Sequence, residues 1–156
     1  MIDVILDAAA WEAAEPRAAA LAEIAAAAVL QHERARGDIA ILLADDARIA
    51  ELNAAFRGKD GPTNVLSFPA ATGVDAPQSR SLGDIALAFG VCAREAAEQG
   101  KSLAHHLQHL TAHGVLHLLG YDHESDAEAE AMEAKERAIL AGLGVADPYA
   151  PRTREL

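Results

Sequence analysis

Aromatic side chains are scarce in this sequence: three phenylalanines, two tyrosines and one tryptophan make up 4% of its 156 residues. A core must therefore come chiefly from aliphatic side chains and from alanine, whose small size and high helix propensity favour closely packed helices. A single cysteine, Cys92, excludes an internal disulfide and any cysteine-based structural zinc site. Long hydrophobic runs are missing too: the most apolar helical stretch, 18–30, is interrupted by Glu23 and falls short of the roughly 20 residues a membrane crossing requires. The opening segment MIDVILDAAAWEAAEP lacks the positive start and unbroken apolar stretch of a signal peptide, so a cytoplasmic chain without a membrane partner is expected. Positive charge is also in deficit, with 13 Lys and Arg against 24 Asp and Glu and a net charge of −11. Nonspecific adhesion to a polyanion is unfavourable over most of such a surface, so any contact of that kind must be local, through a few clustered cations or a bound metal ion.

The length fits one domain with a real core, and no linker divides the chain. Residues 1–146 are read as a single domain and 147–156, with two prolines, as a loose C-terminal tail. Ile2 to Leu6 alternates as a first strand, and Pro16 opens an alanine-rich helix expected to end near Gly37. Ile39 to Leu43 has strand length; Asp45 or Asp46 can cap a helix carrying Ile49, Leu52 and Phe56 on one side. A third strand, Asn64 to Phe68, is stopped by Pro69, and a loop over 70–82 leads to a fourth strand, Ile85 to Phe89. From Val91 the chain reads helical to Gln99. Ser102 caps a helix running to Leu119, and Ser125 with Glu128 forms a capping box for a last helix ending near Gly142. The expected fold is α+β: a small mixed four-stranded sheet covered by helices, with a zincin-like metal helix. The acids Glu124, Asp126, Glu128, Glu130, Glu133 and Glu136 concentrate in the last helix, where a solvated face is the expectation.

The chemistry gathers in HGVLHLLGYDH at 113–123. His113 and His117, four apart on a helix, project from one face close enough for both imidazoles to reach one ion. A straight helix would rotate residue 123 away from that face, but Gly120 can take the positive φ that turns the chain and returns His123 to the metal. Three neutral nitrogen ligands with an open fourth position describe a catalytic site for one Zn2+ ion. His105 and His109 extend the stripe one and two turns earlier, too far along the axis to share the ion, and are read as packing residues or partners of the ligands. His106 and His32 receive no role. Zinc proteases have a glutamate after the first histidine as general base, whereas Gly114 stands there, which disfavours peptide hydrolysis. Phosphoryl chemistry is less damaged by that loss, because charge stabilisation is its main requirement.

The stretch HGVLHLLGYDH at 113–123 resembles the signature of the YbeY endoribonucleases, also called ribosomal RNA maturation factors. LNAAFRGKDGPTNVLSFP at 52–69 is similar to that family's second block, and Leu82-Gly83-Asp84-Ile85 to a weaker third. The resemblance spans nearly the whole chain. It implies zinc ligands at His113, His117 and His123, a functional arginine at Arg57, and cleavage of single-stranded RNA in the bacterial cytoplasm. It further implies maturation of the small-subunit ribosomal RNA 3′ end, ribosome quality control, and partnership with the ribosome or small-subunit ribosomal proteins.

The residues themselves support parts of this picture. Arg57 offers a planar fork of donors suited to phosphate, and Lys59 adds a point charge on the same segment, so both are candidates for substrate binding and Arg57 for catalysis. Arg80, Arg94 and Lys101 are nominees for a strand path. Asp84 and Asp122 could orient a ligand histidine or cap turns. For Asn64 and Ser67 local hydrogen bonding is expected. Phe56, Phe68, Phe89, Tyr121, Tyr149 and Trp11 are mostly core candidates, leaving base-specific readout poorly supplied. Two other classes stay open: a noncatalytic zinc-containing ribosome-assembly factor, and a metalloprotease-like hydrolase.

Overall fold

The computed structural model describes residues 1–70 and 81–149. Its elements are β1 (Ile2–Leu6), α1 (Ala9–Ala14), α2 (Ala18–Glu33), β2 (Asp38–Ala44), α3 (Asp46–Arg57), β3 (Val65–Pro69), β4 (Ser81–Ala88), α4 (Phe89–Gln99), α5 (Leu103–Leu118) and α6 (Asp126–Gly142). The strands form one sheet in the order β1-β2-β4-β3. β1 runs parallel to β2 and β2 parallel to β4, while β3 is antiparallel to β4. The expected mixed four-stranded sheet is therefore present, and its order, which periodicity cannot supply, is now fixed.

Alternation along β2 sorts the two faces. Ile39, Ile41 and Leu43, with Ile85 and Leu87 of β4, join the larger core beneath α2 and α5. Ala44, Ala86 and Ala88 turn the other way, into a smaller cluster with Ile49 of α3 and Leu66 of β3. On α2, Ala18, Ala22, Ala25, Ala26 and Val29 form the buried stripe, so alanine permits the close helix approach that the composition implies. α5 is enclosed on most sides: Leu107, Ala112, Val115 and Leu116 are fully buried, and each of the large ones contributes roughly 1.5–3 kcal/mol by leaving water. The helix that carries the histidines is thus held by packing along most of its length.

Local chemistry sets most of the boundaries. Asp45, Ser102 and Ser125 each accept a backbone N–H of the first helical turn, from Arg48, His105 and Glu128 respectively. Gly100 ends α4 in the left-handed conformation, as expected. Three departures have physical reasons. No element is expected between Leu6 and Pro16 because one large apolar residue makes no repeat, yet α1 forms there, pinned by fully buried Trp11, whose indole N–H donates to the Ala44 carbonyl at 2.8 Å. α2 stops at Arg34 rather than near Gly37, closed when the Ala35 N–H reaches back to the Leu30 carbonyl. β4 begins at Ser81, before the expected Ile85, because pairing on both edges carries Gly83 and Asp84 into the sheet despite their turn-like composition. Most of the loop expected over 70–82, and Arg80 with it, lies outside the described residues.

Candidate metal centre

His113 and His117 lie on the last turns of α5, and the chain leaves that helix through Leu119 and Gly120. Gly120 has φ +101, a conformation that side-chain-bearing residues rarely adopt, and the turn it makes brings His123 back beside the pair. One ligand atom from each of His113, His117 and His123 falls within 4.8 Å of the other two. The described residues contribute no fourth histidine, cysteine, aspartate or glutamate to that group.

Hydrogen bonds on the far side of the rings decide which nitrogen faces inward. His117 Nδ1 donates to the Tyr121 carbonyl at 2.9 Å, and His113 Nδ1 donates to Glu136 Oε1 at 2.5 Å. With both Nδ1 atoms protonated in neutral rings, both Nε2 atoms carry lone pairs, and these two atoms approach to 3.0 Å. Two lone pairs at that distance repel unless a proton or a metal ion lies between them. The donor set therefore fits a metal ion held by imidazoles, with a coordination position open to the cleft. Burial, and then the neighbouring His113, lower the pKa of His117, which keeps its lone pair free of protons at neutral pH.

Two clamps hold the ligands. Tyr121, whose carbonyl holds His117, has its hydroxyl fixed to Glu33 of α2 at 2.5 Å, and Lys135 of α6 completes that contact at 3.1 Å from Glu33. Asp122 Oδ1 accepts the backbone N–H of His123 at 2.8 Å, which is the turn-capping role open to it, and lies 3.4 Å from the His123 Nδ1. Asp84 does not reach the histidines: it faces the groove of Leu42, Phe56 and Phe68 on the opposite side of the sheet.

Glu136 overturns an expectation. Assigned to a solvated helix face, it is fully buried beneath His113. Burial pushes its carboxyl pKa upward, but His109, whose Nε2 lies 3.8 Å away, and the hydrogen bonds from His113 and Tyr149 outweigh that cost and hold it at about 2. The sequence signal was faint. Glu136 lies one turn beyond Met132 and one short of Leu140, all three buried on the inner side of α6.

The open side of the three histidines is a cleft of about 650 Å³ whose walls include Arg57, Thr63, Asn64 and Ser67. Arg57 ends α3, where Gly58 in the left-handed conformation terminates the helix, and its guanidinium has no ion pair among the described residues. Lys59 is exposed and stands outside the cleft lining. Arg94 and Lys101 do not line a path to it: Arg94 pairs with Asp46 at 3.3 Å, and Lys101 borders a separate cavity with Ser102 and His105. Asp122 and Glu124 also border the cleft, so positive potential there has to come from Arg57 and a bound cation.

Asn64 and Ser67 do more than the local bonding expected of them. Asn64 accepts from the Val65 N–H at 2.7 Å and donates to Glu95 at 3.1 Å, while the Ser67 hydroxyl donates to the Gly114 carbonyl at 3.1 Å. A Cβ on Gly114 would meet Ile85, Ser67 and Val65 side-chain atoms at 3.1 to 3.3 Å. Glycine here thus eases the close approach of the metal helix to β3 and β4, and a protease-type glutamate at this position would press on the Ile85, Ser67 and Val65 side chains, which would have to give by a few tenths of an ångström.

Glu95 in turn accepts from His106 Nε2 at 2.9 Å, leaving His106 Nδ1 buried without a partner. Burial lowers the His106 pKa, because a proton on Nδ1 would find no acceptor. The unfolded chain therefore binds this proton more readily than the folded one, and folding stability should fall as pH drops from about 6.5 toward the lowered folded value. Urea unfolding of chelator-treated protein between pH 7.5 and 5.5 should show that loss, with a flatter dependence in His106→Gln. Equal slopes in the two proteins would remove His106 as its source.

A small mixed sheet carrying one buried helix, whose end and following turn offer three imidazoles to an open cleft, defines a compact α+β protein with a candidate mononuclear metal centre. Comparison with known proteins is specific. A family model described as Endoribonuclease YbeY matches residues 7–144, and the chain belongs to that family. It is 54% identical over 157 residues to an Endoribonuclease YbeY of Rhodopseudomonas palustris strain BisB18, covering 97% of this chain and 94% of that protein. A Bradyrhizobium relative of the same name is 58% identical over 137 residues, covering 84% and 80% of the two chains. A solution structure of a Thermotoga maritima protein matches over 100% of both chains with a TM-score of 0.61 at 23% identity, a likeness of fold.

Proposed function

We propose that this chain is a zinc-dependent, single-strand-specific endoribonuclease of the bacterial cytoplasm. Its activity serves maturation of the small-subunit ribosomal RNA 3′ end and ribosome quality control, with the ribosome or small-subunit ribosomal proteins as docking partners. Residues 1–146 act as one hydrolase domain. The observation that carries the reading is the convergence of three imidazoles on one polar cleft that is also lined by Arg57, an arginine with no ion pair among the described residues. The names of the relatives agree with it. No described helix is long and apolar enough to cross a membrane.

His113, His117 and His123 would hold the ion. When bound, zinc supplies positive charge to a nonbridging phosphate oxygen and acidifies a water molecule. The chain's own residues do the rest. Arg57 meets the phosphate with two parallel N–H donors and stabilises the additional negative charge that develops in the transition state. Lys59, outside the cleft lining, offers a second cation to the flanking strand. Asn64 is held by Val65 and Glu95, so it presents a fixed edge to the substrate rather than a mobile one. Among the described residues Tyr121 is the one Phe, Tyr or Trp in the cleft wall and its hydroxyl is committed to Glu33, which favours backbone contact over base stacking as the main source of affinity.

The purified protein should cleave single-stranded RNA, leave duplex RNA and peptides intact, stop when chelated, and resume on zinc addition. Cleavage that persists in exhaustively chelated protein would refute the metal reading. Binding of ribosomal particles without any metal-dependent cleavage would favour the assembly-factor alternative.

A further inference from the structure

Glu136 is fully buried, yet only one of its oxygens is used by His113. The other accepts the hydroxyl of Tyr149, which reaches in from the segment after α6. The Tyr149 oxygen in turn lies 3.3 Å from His109 Nε2, and His109 is itself buried one turn before His113. Proton directions in this chain are determined. A carboxylate accepts only, so both His113 Nδ1 and the Tyr149 hydroxyl donate to it; with its proton so placed, the Tyr149 oxygen accepts from His109 Nε2–H. His109 Nδ1 is left as a buried acceptor without a partner, a less costly orphan than a buried donor would be. Every N–H and O–H of the network points toward Glu136.

We infer that Glu136, closed over by Tyr149 and backed by His109, is the positioning residue of the metal centre: it fixes the His113 tautomer, and the segment carrying Tyr149 is part of the metal-binding apparatus. The inference deepens the proposed function and rests on the three-histidine site. Glu136 meets His113 at Nδ1, away from the Nε2 that faces His117, and is not among the converging ligand atoms, so it leaves the coordination position facing the cleft open. The segment that carries Tyr149 is itself anchored. Tyr149 N–H donates to Asp147 Oδ1 at 2.8 Å, and Arg137 holds Asp147 at 3.1 Å while lying 5.4 Å from the Tyr149 ring centroid. Residues 147–149 therefore return to α6, one turn of which carries both Glu136 and Arg137. Residues 150–156 lie outside the described residues.

A glutamine at 136 tests the direction of the network rather than its shape. Its amide oxygen can still accept from His113, but its NH2 group then faces the Tyr149 hydroxyl, which can no longer donate to residue 136 and must turn its proton elsewhere, so the chain of donors converging on that position is broken. The experiment titrates apo protein with Co2+ and Zn2+ against a competing chelator, recording the cobalt visible spectrum and, by circular dichroism and thermal melting, the fold. Glu136→Gln should weaken metal affinity toward 100-fold and Tyr149→Phe by about 10-fold, within the range expected for partners of ligand histidines, each with an altered cobalt spectrum and native secondary structure. Wild-type affinity and spectrum in a folded Glu136→Gln protein would overturn the inference. Should that variant fail to fold, unchanged affinity and spectrum in Tyr149→Phe would overturn it equally. Failure of the wild-type protein to bind either metal would sink the three-histidine reading itself, an outcome distinct from both.

Discussion

Replacing His117 with alanine should abolish RNA cleavage, with a loss well beyond the roughly 100-fold that removing a mere partner of a ligand costs, and should strip the protein of zinc. The expectation follows from the place of its ring. His117 Nε2 is 3.0 Å from His113 Nε2, so alanine removes one of two nitrogens already preorganised on a rigid helix and leaves His113 with the more exposed His123. Two ligands rarely hold zinc against water and buffer. The same change also frees the Tyr121 carbonyl, loosening the turn that returns His123. The fold should survive, because Leu116 and Leu118 on the same turn supply the packing and the imidazole is only partly buried. Zinc content by elemental analysis, circular dichroism and cleavage of a single-stranded RNA read the three parts separately. Undiminished cleavage by zinc-free His117→Ala would mean that the metal centre is not where the reaction occurs, or that the activity belongs to a contaminant.

Why this site was legible while its support was not follows from the range of each interaction. His113 and His117 are four residues apart, a spacing whose geometric meaning is fixed by the helix, and the Gly120 bend is encoded by a residue chosen for its backbone. Both signals are local. Glu136 is 23 residues from His113 and reaches it only because α6 folds back across α5. Charge counting placed it among exposed acids, since a run of glutamates on an alanine-rich helix carries no mark of which one points inward. Tyr149, in the segment expected to be loose, was hidden for the same reason. The caps at Asp45, Ser102 and Ser125 were readable because they act within one turn. The order of the strands was not, because it depends on which apolar faces meet. Trp11 shows the intermediate case: a single aromatic is enough to pin a short helix against Ala44, but one anchor makes no period.

The acidity of the chain gives Arg57 its weight. At net charge −11, with Asp122 and Glu124 bordering the cleft, approach of a polyanion is opposed everywhere except where a cation is left uncompensated. Of the nominated cations, Arg94 is neutralised by Asp46 and Lys101 borders a separate cavity, whereas Arg57 has no ion pair among the described residues and lines the cleft itself. Arg57→Ala should therefore lower kcat by about 10²- to 10³-fold, the cost of removing one preorganised donor from a developing negative charge. Zinc content and melting temperature should stay unchanged, because the exposed guanidinium contributes little to packing. Arg57→Lys should recover only part of the rate, since an ammonium keeps the charge but not the planar fork that grips two phosphate oxygens. If KM alone rises while kcat holds, Arg57 binds the strand without stabilising the transition state. If neither changes, the positive potential of the cleft comes from the ion alone, and the reaction must draw its charge stabilisation from the three-histidine centre without help from α3.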